Sequence, residues 1–167
     1  MTGRICGTGS YVPARIVENE ELANLVDTND AWIRERTGIA RRHLAEQETT
    51  SYMAAMAAKR ALAQAGMLAE EVDLILVATS TPETVFPCTA CEVQREIQAE
   101  HAAGFDLNAA CSGFLFALQT ACLMWWTGET AVPVFYSETE QEQLSSGQKR
   151  GGCLSRRHIR MEEKELC

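Results

Sequence analysis

The spacing of apolar and polar residues divides the first three quarters of the chain into alternating strands and helices. Residues 3–13, GRICGTGSYVP, read as a strand entering a loop bounded by glycine and proline. Leu22, Leu25 and Val26 then recur at helical intervals in NEELANLVD, with Asn19 as an available cap. A second helix is predicted from Asn29 or Asp30 through AWIRERT to a stop at Gly38. IARRHL, residues 39–44, reads as a short strand or extended edge, and EQETTS as a polar loop. The longest helix is predicted over Thr50–Ala65, with Thr50 or Ser51 as cap and Gly66 as a left-handed stop. Alanine and methionine occupy nearly every face of it, which predicts burial between other elements.

VDLILVATS, Val72–Ser80, is a continuous apolar run of the kind found in a central strand covered on both faces. A loop, TPETVFP, leads to a helix over about Thr89–Gln98; GFDLN then reads as another short buried strand, and a helix begins at Cys111. This alternation predicts an α/β protein with a largely parallel sheet. After Ala121 the pattern lapses. Pro133 interrupts the one stretch with the character of a central strand, and the residues from Ser137 onward keep neither a 2.0 nor a 3.6 period. The chain therefore divides into residues 1–121 and a divergent segment, 122–167, read as disordered or as the product of a shifted reading frame.

Composition narrows the function. A chain of 167 residues, 46% hydrophobic, can bury one ordinary core. Its formal net charge of -8 argues against nucleic-acid binding, which needs clustered Lys and Arg. The first residues lack the charged start and apolar segment of a signal peptide, and no stretch approaches a membrane span, so a cytoplasmic location is expected. Seven cysteines, odd in number and irregular in spacing, fit no disulfide framework. The pair Gly7 and Gly9 has the start of a dinucleotide loop, but Val12 stands where a third glycine belongs and no helix opens there, so a nicotinamide site is discarded.

Four places carry candidate chemistry. Cys111 lies where a short apolar run turns into a helix, with Ala109, Ala110 and Gly113 clearing space around it. A thiol there feels the positive helix end and unpaired N–H groups, both of which favour the thiolate; the alternative is a small buried residue like the other cysteines. Trp32 and Arg36 are i and i+4 on a predicted helix, which sets an indole beside a guanidinium in an arrangement suited to a flat base and a phosphate. The alternative is a surface helix whose Arg36 pairs with Glu35 or Asp30. Cys88 and Cys91 form a C-x-x-C, a redox pair or half a zinc site in principle. No second ligand pair has fitting spacing, so two packed thiols at a helix start are expected and no metal. Phe86, on the loop after the central strand, reads as core, interface or the lining of an apolar tunnel.

Five blocks, in order, resemble the N-terminal half of the β-ketoacyl-acyl-carrier-protein synthase III family. They are GTGSYVP (Gly7–Pro13), VDTNDAWIRERTGIARRH (Val26–His43), VDLILVATSTPE (Val72–Glu83), FPCTACEVQ (Phe86–Gln94) and FDLNAACSGFLFAL (Phe105–Leu118). The resemblance covers residues 1 to about 121. It implies the N-terminal half of a thiolase-like layered α/β/α fold with a mixed, largely parallel sheet. It places Cys111 on the family's nucleophile, which takes the acetyl group of acetyl-CoA as a thioester and condenses it with malonyl-acyl carrier protein. It places Trp32 and Arg36 on the clamp for the CoA adenine, with Thr28 on the same face, and Phe86 on an aromatic that bounds the partner's acyl pocket in a homodimer.

The resemblance thus implies CoA thioesters as substrates, acyl carrier protein as partner, and no cofactor. It assigns a catalytic His and Asn to a second half of the fold. Residues 122–167 contain no Asn, and His158 stands in an unrelated context, SRRHIR. Beyond Ala121 only echoes remain, among them Thr127-Gly128, Ser137-Glu138-Thr139, and Arg150-Gly151 where the family has an Arg-Gly that contacts CoA. An acyltransferase lacking part of its machinery is therefore expected. The alternatives are an inactive fragment or non-catalytic dimerising module, and another acyl-CoA condensing enzyme of the thiolase superfamily, such as an HMG-CoA synthase, a quinolone-forming synthase or a polyketide starter enzyme.

Overall fold

Each local signal maps onto an element of the computed structural model, which describes residues 3–126, 133–138 and 154–161. Strand β1 (Gly3–Gly9) is followed by a short strand β2 (Ile16–Glu18) and helices α1 (Asn19–Ala23) and α2 (Asp30–Thr37). Next come β3 (Arg41–His43), α3 (Thr50–Ala65), β4 (Leu74–Ala78), α4 (Thr89–Ile97) and β5 (Ala103–Leu107). Helix α5 (Gly113–Trp126) and strands β6 (Pro133–Glu138) and β7 (Leu154–Met161) complete the order.

The caps explain the helix limits. The Asn29 side chain accepts from the Trp32 N–H at 2.8 Å and opens α2, and Gly38, at φ 71°, closes it. Thr49 opens α3 by accepting from the Tyr52 N–H at 3.1 Å, one residue earlier than the Thr50 or Ser51 expected. Thr50 instead gives its N–H to the Glu83 carboxylate. Gly66 closes α3 at φ 66° as predicted. The first predicted helix is shorter than its apolar pattern suggests, ending at Ala23.

Five strands form one sheet in the order β1-β7-β6-β4-β5. β4 pairs in parallel with both β5 and β6, with Leu76 between Phe105 and Phe135, and β7 runs antiparallel to both of its neighbours. Four strands thus point one way and β7 opposes them, which is the mixed, largely parallel sheet expected. β4 is buried along its whole length and serves two cores. Ile75 and Val77 face α3 and α4, whereas Leu74 and Leu76 face Ala117 and Ala121 of α5. Burying each of these four β4 side chains contributes about 1.5–3 kcal/mol. The result is three layers: α3 with α4, the sheet, and α5. β2, β3, α1 and α2 form an annex around Val17, Leu22 and Ile33.

Two features differ from the sequence expectation. The segment after Ala121, read as lacking regular structure, supplies β6 and β7, and both lie inside the sheet. Pro133 is compatible with a central strand because it is the first residue of β6, where a missing N–H interrupts least of the ladder. Thr127-Gly128 and Arg150-Gly151 lie outside the described residues. Gly7 and Gly9 serve packing. A Cβ on Gly7 would overlap the Ala61 carbonyl oxygen, and one on Gly9 the Ala57 carbonyl oxygen, so β1 lies directly against the small-residue face of α3.

Candidate active site

β5 ends at Leu107, and a single 3₁₀ turn, Ala110–Ser112, carries the chain into α5. Cys111 sits in this turn, two residues before the α-helix, and is exposed. Ala110, just before it, has φ 44°, a left-handed conformation that costs a non-glycine residue about 1–2 kcal/mol. The strain is supported from below. The Asn108 Oδ1 accepts from the Ala110 N–H at 3.3 Å and from the Ser80 hydroxyl, at the end of β4, at 3.0 Å. A tight turn of small residues holding a reactive side chain outward is the geometry of a nucleophile elbow. The periodicity of the sequence does not single out Asn108 or Ser80; the cue is an Asn between a strand and a turn, where its side chain bonds the backbone two residues on.

Ala110→Gly is expected to relieve the strain against an entropic cost of about 0.5–1 kcal/mol, for a net stability gain of under about 1 kcal/mol by urea unfolding. A loss of stability would show that the turn is not strained.

The second pair is also formed. The Arg36 guanidinium carbon lies 4.5 Å from the centre of the Trp32 ring, a cation–π stack on the outer face of α2. Of the rival partners, Glu35 approaches Arg36 only to 3.9 Å, and Asp30 is taken by Arg34, whose Nε donates to it at 2.7 Å. Trp32 is 45% exposed, so the stack faces outward. The Thr28 hydroxyl, just ahead of α2, is buried and has no hydrogen-bond partner among the described residues.

The Arg34 hydrogen bond first, then that from Asn19 Nδ2 at 2.7 Å, hold the Asp30 carboxyl below its ordinary 3.8. A carboxyl lowered in the folded state stabilises at pH above 3.8 and loses that contribution as pH falls through its folded pKa. Asp30→Asn is therefore expected to flatten the acid limb of the stability profile below pH 4, read by thermal unfolding across pH.

Phe86 is 92% exposed at the tip of the β4–α4 connection, beside an equally exposed Val85, so of the sequence alternatives a core position is removed. Cys88 caps α4, and its sulfur lies 3.3 Å from that of Cys91. The packed thiols expected at a helix start are present. Among the described residues no group of three His, Cys, Asp or Glu side chains is placed to hold a metal ion, and no helix is long and apolar enough to cross a membrane. The Asp106 carboxylate of β5 accepts from the Thr89 and Ala90 N–H groups, each at 2.8 Å, and ties the start of α4 to the strand that leads to Cys111. The thiol and the Trp32–Arg36 stack stand on separate parts of the fold, one on the sheet and one on the annex.

A sheet between helical layers, with a cysteine displayed where strand turns to helix, defines a thiolase-like protein. No family model matches the chain. The chain is 47% identical over 150 residues to the β-ketoacyl-[acyl-carrier-protein] synthase III of Clostridium acetobutylicum, covering 90% of this chain and 46% of that protein. It is 59% identical over 115 residues to the synthase III of Granulibacter bethesdensis, covering 68% of this chain and 36% of that one. The crystal structure of 3-oxoacyl-[acyl-carrier-protein] synthase III from Aquifex aeolicus superimposes with a TM-score of 0.87 at 38% identity, over 98% of this chain and 55% of that one. The chain belongs to the β-ketoacyl-acyl-carrier-protein synthase III family and corresponds to its N-terminal portion. It spans about half the length of the curated relatives it matches over 150 residues.

Proposed function

We propose that this chain carries the acyl-accepting half of a synthase III active site, in which Cys111 takes an acetyl group from acetyl-CoA for the first condensation of fatty-acid synthesis. The observation that carries the reading is the exposed thiol on the strained 110–112 turn, held out by Asn108 and unobstructed by its alanine and glycine neighbours. The Cys111 sulfur, as thiolate, attacks the thioester carbonyl; the tetrahedral intermediate collapses with loss of the CoA thiolate, leaving an acetyl thioester on Cys111. Condensation with malonyl-acyl carrier protein then requires donors on the thioester oxygen as the enolate develops. The His and Asn to which the family resemblance gives that role have no counterpart among these 167 residues. Each missing donor costs on the order of 10² to 10³ in rate. Acetylation of Cys111 without condensation is the expected behaviour of this chain alone, tested by mass spectrometry after incubation with acetyl-CoA, with and without malonyl-acyl carrier protein. Absence of an acetyl adduct on the 111 peptide would reject the reading.

Trp32, Arg36 and Thr28 are the proposed CoA-adenine site. With the guanidinium 4.5 Å from the indole centre, a base cannot lie between them, because two stacking gaps need about 7–8 Å. Arg36 must swing away, at a cost of about 0.5–1 kcal/mol, before the base enters. Trp32→Ala is expected to weaken CoA binding roughly 10-fold by calorimetry, within the 1–3 kcal/mol of a base–aromatic stack. Unchanged affinity would remove the clamp.

A second reading, an association module, is favoured by two exposed surfaces. β5 is an edge strand of the sheet, and α5 turns Leu115, Phe116 and Leu123 outward, opposite its buried Ala117 and Ala121. Unpaired strand edges and contiguous apolar faces are association surfaces. A homodimer with Phe86 reaching the partner fits both readings; a dimer by light scattering that takes no acetyl group would favour the module.

A further inference from the structure

Cys88 and Cys91 play no part in the proposed acyl transfer, yet they are the two thiols of the described chain that touch. We infer that they form a reversible dithiol–disulfide site at the start of α4, whose co-reactant is a low-molecular-weight disulfide. Cys88 is the N-cap of α4 and Cys91 stands one turn on, with the sulfurs 3.3 Å apart across the first turn. Both side chains are half-buried. They are thus reachable by a small oxidant, while Cys88 also packs against the α3–α4 core, which holds the pair in place. Side-chain rotation alone can bring sulfurs so placed to bonding distance. The short loop asks little further chain entropy of the folded protein.

The environment sets which sulfur attacks. The hydrogen bond with Cys88, then burial, push the Cys91 thiol up, and the Asp106 carboxylate adds to this from across the helix start. The raised Cys91 thiol is the poorer first nucleophile of the pair, and either sulfur can donate to the other across the 3.3 Å between them. Cys88, at the N-cap position, is then the attacking sulfur and Cys91 the resolving one. The Cys88 thiolate displaces one thiolate from the small disulfide and forms a mixed disulfide. The Cys91 sulfur, releasing its proton, then attacks the Cys88 sulfur and expels the second thiolate. The two thiol protons pass to the two released thiolates: two protein thiols are oxidised, one small disulfide is reduced to two thiols, and the protein gains one S–S bond.

The sequence makes the test clean. Cleavage after Arg60 and Arg95 yields a single peptide, 61–95, that contains Cys88 and Cys91 and no other cysteine. The full chain is equilibrated in glutathione buffers of graded oxidised-to-reduced ratio, quenched by alkylation and mapped. The expected result is a 61–95 peptide that loses two hydrogens and two alkylation sites, recovers both on return to reduced glutathione, and reaches half-oxidation in buffers roughly 10-fold more reducing than for the urea-unfolded chain, because folding raises the effective concentration of one thiol at the other. Cys88→Ser is expected to stop at a single glutathione adduct or a free thiol on Cys91. A peptide that stays fully alkylated, one that carries two glutathione adducts, or equal midpoints in folded and unfolded chains would each overturn the inference. None of these outcomes depends on acetyl transfer, so failure here and failure of the acyl-transfer reading are separable.

Discussion

Replacing Cys111 by alanine is expected to reduce acetyl transfer from acetyl-CoA to the protein by at least about 10³-fold, leaving label at the level of non-specific acetylation. The size follows from what is removed. Nothing else on the 110–112 turn is nucleophilic except the Ser112 hydroxyl, which is far less ionised than a thiol near neutral pH. The exposed Cys122 on α5 is the informative control, since Cys122→Ala removes another exposed thiol that lacks the strained turn and is expected to leave labelling unchanged. Cys111 packs into neither core cluster, so its loss should leave the urea midpoint where it was. Equal label on the wild-type chain and on Cys111→Ala would sink the thioester proposal whatever the fold resembles.

The largest effect on stability is expected at Gly9. A Cβ there would overlap the Ala57 carbonyl oxygen and come within 2.6 Å of the Ala61 nitrogen, both backbone atoms of α3 that cannot rotate aside. Gly9→Ala must push β1 off α3, and overpacking of this kind costs about 1–3 kcal/mol; Gly9→Val should reach the upper end or prevent folding. Gly38→Ala is the fitting comparison. A Cβ at Gly38 meets nothing within 4 Å, so only the strain of φ 71° is charged, about 1–2 kcal/mol. Urea unfolding of the variants checks the order. If Gly9→Val cost no more than Gly38→Ala, the close approach of β1 to α3 would be wrong.

Much of the candidate site is legible in the sequence. Trp32 and Arg36 stack because a helix brings i and i+4 together, and the helix itself was announced by Asn29 and Gly38 at its ends. Cys111 stands out by the small residues around it. The devices that present it were not readable. The φ of Ala110 cannot be inferred from an alanine, whose preferred conformations exclude it, and Asn108 meets Ser80 only because β4 and β5 lie side by side in the sheet.

The sequence by itself determined the elements whose signals are local: the α2 and α3 limits set by caps and glycines, the burial of the alanine-rich α3, and the doubly covered β4. Tertiary structure alone decided the rest. β7 enters between β1 and β6, pairing Arg4 with Arg160 and Val134 with His158, and a strand held by partners so distant in sequence need show no period of its own. Pro133 reads as a breaker until its place at the first position of β6 is known, and Gly7 and Gly9 read as a loop until α3 is laid across them. Periodicity and capping act within a few residues and are written in the chain; pairing register and close approach are properties of surfaces that exist only after it has folded.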